Sequence, residues 1–148
     1  MYYIGIDISK FKHDCAVIDD SGEIITPSWS FTNDSEGFSQ LKMLLDSLDE
    51  ETRIGLESTG HYGMNLKLFL ESIGFSFMEF NPLLINRFVK SKSLRKTKSD
   101  SIDCMMIAHY LMTVEYKPYP TLLYHTEKLK SLTRFRDSLI RQRRRQLV

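Results

Sequence analysis

IGIDIS at residues 4–9 and IGLEST at residues 54–59 decide how this chain is read. Each runs Ile-Gly-apolar-acid through what has the composition of a buried strand, so each carries a carboxylate, Asp7 or Glu57, into a sheet. By the two-residue period of a strand, Gly5, Asp7 and Ser9 share one face and Ile4, Ile6 and Ile8 the other. A central strand is covered on both faces, and an acid there is costly unless a cation compensates it. The glycine two residues before each acid leaves room for a bound ion or for an approaching backbone. If the two strands are neighbours, about 4.8 Å apart, both acids reach one site at the sheet's edge. Either acid taken alone is explained equally well as a strand end in water.

Around these two segments the chain alternates in a recognisable order. Residues 2–9, 12–20 and 22–33 have the pattern of three successive strands, with Ser21-Gly22 turning the second into the third. Residues 36–48 place Phe38, Leu41, Leu45 and Leu48 at helical spacing, behind a cap at Asp34 or Ser35. There follow a strand at 52–58, a helix at 61–73 closed by Gly74, and a strand at 75–80. A further helical stretch opens at Asn81-Pro82, with proline suited to the first turn. A meander followed by β-α-β-α predicts a mixed five-stranded α/β sheet with flanking helices, its later strands added in parallel through right-handed crossovers.

With 148 residues and 42% apolar content, the chain can form one domain with a real core. Its two cysteines, Cys15 and Cys104, lack metal-type spacing and read as reduced core residues of a cytoplasmic protein. No basic-then-apolar leader is seen, and no apolar run approaches the roughly 20 residues that span a bilayer, so no membrane partner is expected. The net charge of +1 hides an asymmetry: residues 1–86 hold five Lys/Arg against fourteen Asp/Glu (−9), and residues 87–148 hold fifteen against five (+10). Clustered cations of this kind suit a polyanion, although solvated basic helix faces give the same count.

RFVKSKSLRKTK, residues 87–98, is the densest part of that charge and reads as a mobile basic loop or a frayed helix end. Its six cations, Arg87, Lys90, Lys92, Arg95, Lys96 and Lys98, are candidates for holding backbone phosphates. Directly after it, SDSIDCMMIAHYLMTV offers Ser99 as an N-cap with Asp100 and Asp103 three apart in the first turn. Continuing that spacing gives Ile107, Tyr110, Leu111 and Val114, so the acids head the buried stripe. The helix dipole accounts for one early acid but poorly for two on an apolar face. Four acids, Asp7, Glu57, Asp100 and Asp103, converging beside a basic segment make a divalent-cation site the economical reading. Mg²⁺ or Mn²⁺ favours hard carboxylate oxygens, and two such ions about 3.5–4 Å apart serve phosphodiester cleavage or transfer.

GIDISK, ESTG, Asn81-Pro82 and KSDSIDC together resemble the DEDD-type transposases of bacterial insertion sequences, the family of the Piv/MooV DNA invertases and the bridge-RNA-guided recombinases. The resemblance runs from residue 2 to about residue 115. It implies a ribonuclease H-like, RuvC-like domain over residues 1–115, with Asp7 as the first-strand acid bridging the metals and Glu57 as the fourth-strand acid. Asp100 and Asp103 would be the paired acids of the last helix, with Mg²⁺ or Mn²⁺, in two copies, as cofactor. DNA is the implied partner, with a structured guide RNA in some members. Where the family usually reads Lys-Thr-Asp and then Asp-Ala, this chain has Lys98-Ser99-Asp100 and Asp103-Cys104, small-for-small changes that leave the acids in place.

The same resemblance implies a second, serine-bearing domain that this chain does not supply. Residues 116–148 are expected to be a linker and the start of a coiled-coil helix, with Leu129, Leu132, Phe135, Leu139 and Gln142 at helical spacing over residues 125–148. Its apolar stripe favours self-association. The expectation is therefore an N-terminal metal-binding catalytic domain that works with the missing part and is inactive alone.

His61 either touches a metal-bound water or begins a helix capped by Ser58 or Thr59, and Lys10 either meets a phosphate or is a solvated strand-end lysine. Phe75, Phe77 and Phe80 with Met78 read as core and edge filling. His13, His109 and His125 carry no partner pattern. Two rival functions stay open: a nucleic-acid-binding and assembly module whose acids hold structural ions, and an actin-like or sugar-kinase ATPase lobe. The last is disfavoured because Ile8-Ser9-Lys10 replaces the glycine and threonine that such a phosphate loop wants.

Overall fold

The computed structural model describes residues 1–57, 60–92, 103–118 and 122–147, and the side chains of the last stretch from residue 129 onward. In chain order the elements are β1 (Tyr2–Ile8), β2 (Lys12–Asp19), β3 (Ile24–Thr32), α1 (Ser35–Ser47), β4 (Thr52–Glu57), α2 (Met64–Ser72), β5 (Met78–Phe80), α3 (Pro82–Ser91), α4 (Cys104–Thr113) and α5 (Leu122–Gln146). The sheet has the order β3-β2-β1-β4-β5. β1, β2 and β3 are antiparallel neighbours, whereas β4 lies parallel to β1, and β5 parallel to β4. This is the mixed five-stranded α/β sheet that the alternation of elements predicts, with the two acid-bearing strands side by side at its centre.

Strand periodicity sorts the core into two. Ile4, Ile6 and Ile8 of β1 and Ile54 and Leu56 of β4 point to one face, where α1 brings Phe38, Leu41 and Leu45 and α2 brings Leu66 and Leu70. The opposite face carries Tyr3 and Phe80 beneath Ile85 and Val89 of α3 and Ile107, Ala108 and Leu111 of α4. β1 and β4 are thus covered on both sides, which is why their sequences read as nearly continuous apolar runs.

The two glycines of the repeated motif pair across the strands, Gly5 with Gly55. A Cβ at Gly5 would collide with the Cys104 carbonyl and lie 2.5 Å from the Ala108 nitrogen. At Gly55 it would lie 2.8 Å from the Phe80 ring and 3.3 Å from Leu111. Of the two reasons for a glycine before each acid, the structure realises the approaching backbone at Gly5, where the start of α4 rests on bare main chain, whereas the space over Gly55 is filled by the side chains of Phe80, Leu111 and Ile107.

Local signals explain most of the element ends. Asp34 caps α1 by accepting from the Gly37 amide at 2.9 Å, and Asn81 caps α3 by accepting from Leu83 at 2.9 Å with Pro82 in the first turn. Gly74, at φ 82°, ends α2 in the left-handed conformation that a residue with a Cβ resists. Three boundaries differ from expectation. α2 begins at Met64 behind Gly63, without a side-chain cap, and residues 61–63 form a turn. β5 is only Met78–Phe80, because residues 75–77 carry no strand pairing. α4 is capped by Asp103 instead of Ser99. Ser99, with all of residues 93–102, lies outside the described residues. No helix among the described residues is long and apolar enough to cross a membrane.

Candidate functional site

The parallel register of β1 and β4 runs from Tyr2 opposite Thr52 to Ile6 opposite Leu56, and the next step carries Asp7 and Glu57 to adjacent positions at the C-terminal ends of both strands. Glu57 is only 9% exposed and Asp7 is half-buried. Their carboxyl groups are close enough to share a hydrogen bond. Burial, then the charge of Glu57, then that of Asp14, push the Asp7 carboxyl up to about 7. Burial also raises Glu57, and its hydrogen bond with Asp7 pulls the other way. The pair therefore holds a proton on Asp7 that Glu57 accepts, because two buried like charges cannot both ionise cheaply.

On the other side of β1, Asp14 of β2 stands directly across from Asp7 in the antiparallel register. The Ser30 hydroxyl of β3 donates to it. Asp14 did not figure among the sequence candidates. Its signal was available, since a short turn between the first two strands places residue 14 opposite residue 7, but it follows from counting across a hairpin and belongs to no motif.

Asp103 also reaches this end of the sheet, where its charge acts on Asp7. It stands before α4 in extended backbone, at φ −79° and ψ 162°, and its carboxylate accepts from the Met106 amide at 2.9 Å. The expectation that it occupies the first turn on the buried stripe is corrected: Asp103 is the cap, and the stripe starts with Cys104, Ile107, Ala108 and Leu111. Asp100 lies outside the described residues, as do Arg95, Lys96 and Lys98. Arg87 and Lys90 lie exposed on α3 and Lys92 at its C-cap, with the Lys92 ammonium 5.7 Å from the Phe88 ring centre. This first part of the basic segment is the C-terminal part of α3, in keeping with the helical stretch expected from Asn81-Pro82 and with the helix-end alternative for residues 87–98.

Among the described residues, no lysine or arginine pairs with Asp7, Asp14, Glu57 or Asp103. The contrast with Glu79 is direct, since that half-buried acid on β5 has Lys67 of α2 at 2.6 Å. Cys104 sits beside the acids, its thiol 3.1 Å from the Ser28 hydroxyl and pushed up by burial, so it stays protonated and offers no thiolate. The available donors are hard carboxylate oxygens, and Asp7 and Glu57 repel each other, as groups that share a cation do in its absence. These residues fit a hard divalent cation in kind. Among the described residues, however, no three acid, histidine or cysteine side chains close on one point.

The remaining residues singled out in the sequence fall as follows. His13 is fully buried, 5.4 Å from the Phe31 ring and stacked at 6.5 Å on Phe38, with burial lowering its pKa. His61 does not begin a helix; it is exposed in the turn before α2, its ring 4.5 Å from that of Tyr62. Phe77 and Phe80 are core residues, as expected of them.

Comparison with known proteins gives a consistent result. The family model DEDD_Tnp_IS110, described as a transposase, matches residues 4–148. The pilin gene-inverting protein of Moraxella bovis is 32% identical over 112 residues, covering 73% of this chain and 33% of the relative. The mini-circle putative transposase for IS117 of Streptomyces coelicolor is 28% identical over 115 residues, covering 75% of this chain and 27% of the relative. The chain thus spans about a third or less of the length of these curated relatives. Among solved structures, T. thermophilus RuvC in complex with Holliday junction substrate matches with a TM-score of 0.57 at 11% identity, over 80% of this chain and 99% of that one. At that identity the likeness establishes the fold, which is RuvC-like and ribonuclease H-like.

Proposed function

This chain belongs to the DEDD_Tnp_IS110 transposase family, and on that premise we propose that it is the metal-dependent part of a DNA recombinase, acting in strand cleavage or exchange. The observation that supports this most is the adjacency of Asp7 and Glu57 at the C-terminal ends of β1 and β4, the first half-buried and the second buried, with the Glu57 charge raising Asp7 and without a cationic partner among the described residues. Asp7 and Glu57, with Asp103 and Asp100, would hold divalent cations, Mg²⁺ or Mn²⁺. When bound, such ions supply activation of a water or hydroxyl and stabilisation of the leaving oxygen. The protein's own part is to hold the Asp7 and Glu57 oxygens at the ends of two central strands, with no thiolate or lysine paired with them among the described residues.

Arg87, Lys90 and Lys92, exposed on and just beyond α3, with Arg95, Lys96 and Lys98 following, would hold DNA phosphates. Names of relatives support this partner: one inverts a pilin gene and RuvC was solved on a Holliday junction. Residues 1–115 form the catalytic unit in this reading, and residues 116–148 a linker and the first part of a coiled coil. The apolar stripe of α5, with Leu129, Leu132, Phe135 and Leu139 all exposed, is the surface through which copies would associate. A guide RNA is a further partner that the family admits.

The test is a Mn²⁺ titration of the wild-type chain and of Asp7→Ala, followed by nuclease assays on branched and linear DNA. Metal binding in the wild type that Asp7→Ala loses is expected. Absence of binding by the wild type would overturn the reading. One observation favours a second function, an assembly module with structural ions only: Asp103 already serves as the cap of α4, and three donors do not converge among the described residues. Metal binding without cleavage of any DNA in the full-length protein would decide for it.

A further inference from the structure

Phe11 is 76% exposed at the tip of the β1–β2 turn. An exposed aromatic on a loose loop needs no explanation, but this tip is tightly held. The Asn33 amide donates to the Phe11 carbonyl at 2.9 Å, and Asn33 Nδ2 donates to the Lys10 carbonyl at 3.1 Å and to the Tyr62 carbonyl at 3.5 Å. The Ser9 hydroxyl donates to the Lys12 carbonyl. Next to Asn33, on the buried side, His13 is packed against Phe31 and Phe38. The loop before α2 is fixed too, since a Cβ on Gly63 would lie 2.7 Å from Ile8. A large apolar ring is therefore presented to water from a backbone that is held in place on both sides.

The place of that ring matters. β1 ends at Ile8, which pairs with His13, and Asp7 pairs with Asp14 one step earlier. The tip and the acids thus lie at the same edge of the sheet. Phe11 lies four residue steps from Asp7, at most about 14 Å of extended chain and so a few nucleotide steps of about 3.4 Å each. The Lys10 ammonium lies over one face of the Phe11 ring, 5.0 Å from its centre, so a stacking base would take the other face or displace the lysine toward its phosphate. A nucleotide offers the complement of both, a π-face and a phosphate.

We propose that Phe11 is a stacking platform for an unpaired nucleobase next to the carboxylate pair, with Lys10 meeting the adjoining phosphate. This rests on the nucleic-acid reading above and adds to it the state of the substrate: a strand opened or single at the point where it meets Asp7 and Glu57. Stacking on a ring is indifferent to which base is present, so the platform selects unpaired structure over sequence.

The experiment uses the 148-residue chain and a gapped DNA duplex carrying 2-aminopurine in the unpaired stretch. The wild type should change the 2-aminopurine fluorescence on binding. Phe11→Ala should lose that signal and bind about ten-fold more weakly, the size of losing one base–aromatic stack, with an unchanged dependence of affinity on salt. Phe11→Trp should restore both, and Lys10→Gln should lower the salt slope by about one. Phe11→Ala behaving as wild type would overturn the platform, and so would restoration of signal and affinity by Phe11→Leu, which supplies an apolar surface without a π-face. Failure of the wild type to bind any DNA is a different result, and it overturns the nucleic-acid reading beneath the proposal.

Discussion

The two faces of the sheet solve the same packing problem in opposite ways. Under α1 and α2, β1 and β4 present Ile4, Ile6, Ile8, Ile54 and Leu56, and side chains fill the space between layers. Under α4 the same strands present Gly5 and Gly55: the helix main chain comes down almost onto β1 at Gly5, and the side chains of Phe80 and Leu111 close over β4 at Gly55. The first face gains stability from volume. The second gives up that volume to hold the start of α4, with Asp103 and Cys104, against the ends of the strands where Asp7 and Glu57 stand. A conventional core and a site-building core thus share two strands, sorted only by residue parity.

The largest expected effect breaks the second face. Gly5→Val should destabilise the chain by about 3 kcal/mol or more in urea unfolding, because the obstacle is helix backbone that cannot rotate away. Any folded fraction should also lose metal affinity as α4 is displaced. A loss under 1 kcal/mol would mean that α4 is not held as tightly as its contacts indicate.

Next in size is the repulsion at the site. The unfolded chain ionises Asp7 near the ordinary aspartate value of 3.8, whereas the folded site keeps the proton up to about 7. Between those values the folded state binds a proton that the unfolded state has lost, so stability falls as pH rises through this window and stays reduced above it. In EDTA, Asp7→Asn should therefore be no more stable than wild type near pH 4 and more stable at pH 8. The gain should be on the order of 2 kcal/mol after discounting for partial solvation. His13 acts in the opposite sense: burial lowers its pKa, so its effect is a loss of stability as pH drops below about 6.5. Comparing the two proteins at each pH cancels that contribution. Thermal melts across pH provide the measurement, and a flat difference between variant and wild type would refute the shared proton.

Ile54→Val on the apolar face should cost about 1 kcal/mol and leave the pH profile and Mn²⁺ affinity unchanged, sharpening the division between the faces. Smallest of all, Lys42→Ala removes an exposed i,i+4 pair with Asp46. It should shift unfolding by less than about 0.5 kcal/mol.

Residue parity explains what could be read in advance. IGIDIS and IGLEST carry the strand period in their own letters, and the caps at Asp34 and Asn81 and the stop at Gly74 are local too, so the element order and the mixed sheet followed from sequence. What could not be read depends on contacts between distant residues. Gly5 before Asp7 looked equally suited to an ion or to a backbone, and only the arrival of α4, a hundred residues away, decides between them. Asp103 has the spacing of a helical residue, yet its side chain satisfies the Met106 amide from outside the helix. Asp14 joins the site through hairpin register. The weak start of α2, with no side chain to cap it, left no mark by which His61 could be placed.

The pairing of Gly5 with Gly55 has one more consequence, for quality control during folding. A slip of β4 by one residue along β1 would put Ile54 or Leu56 under α4 and leave the helix nowhere to settle. The sliding error that would separate the acids is the same error that blocks the last layer from closing. A molecule with α4 seated therefore has positions 7 and 57 abreast, because the register that admits the helix is the register that aligns the acids.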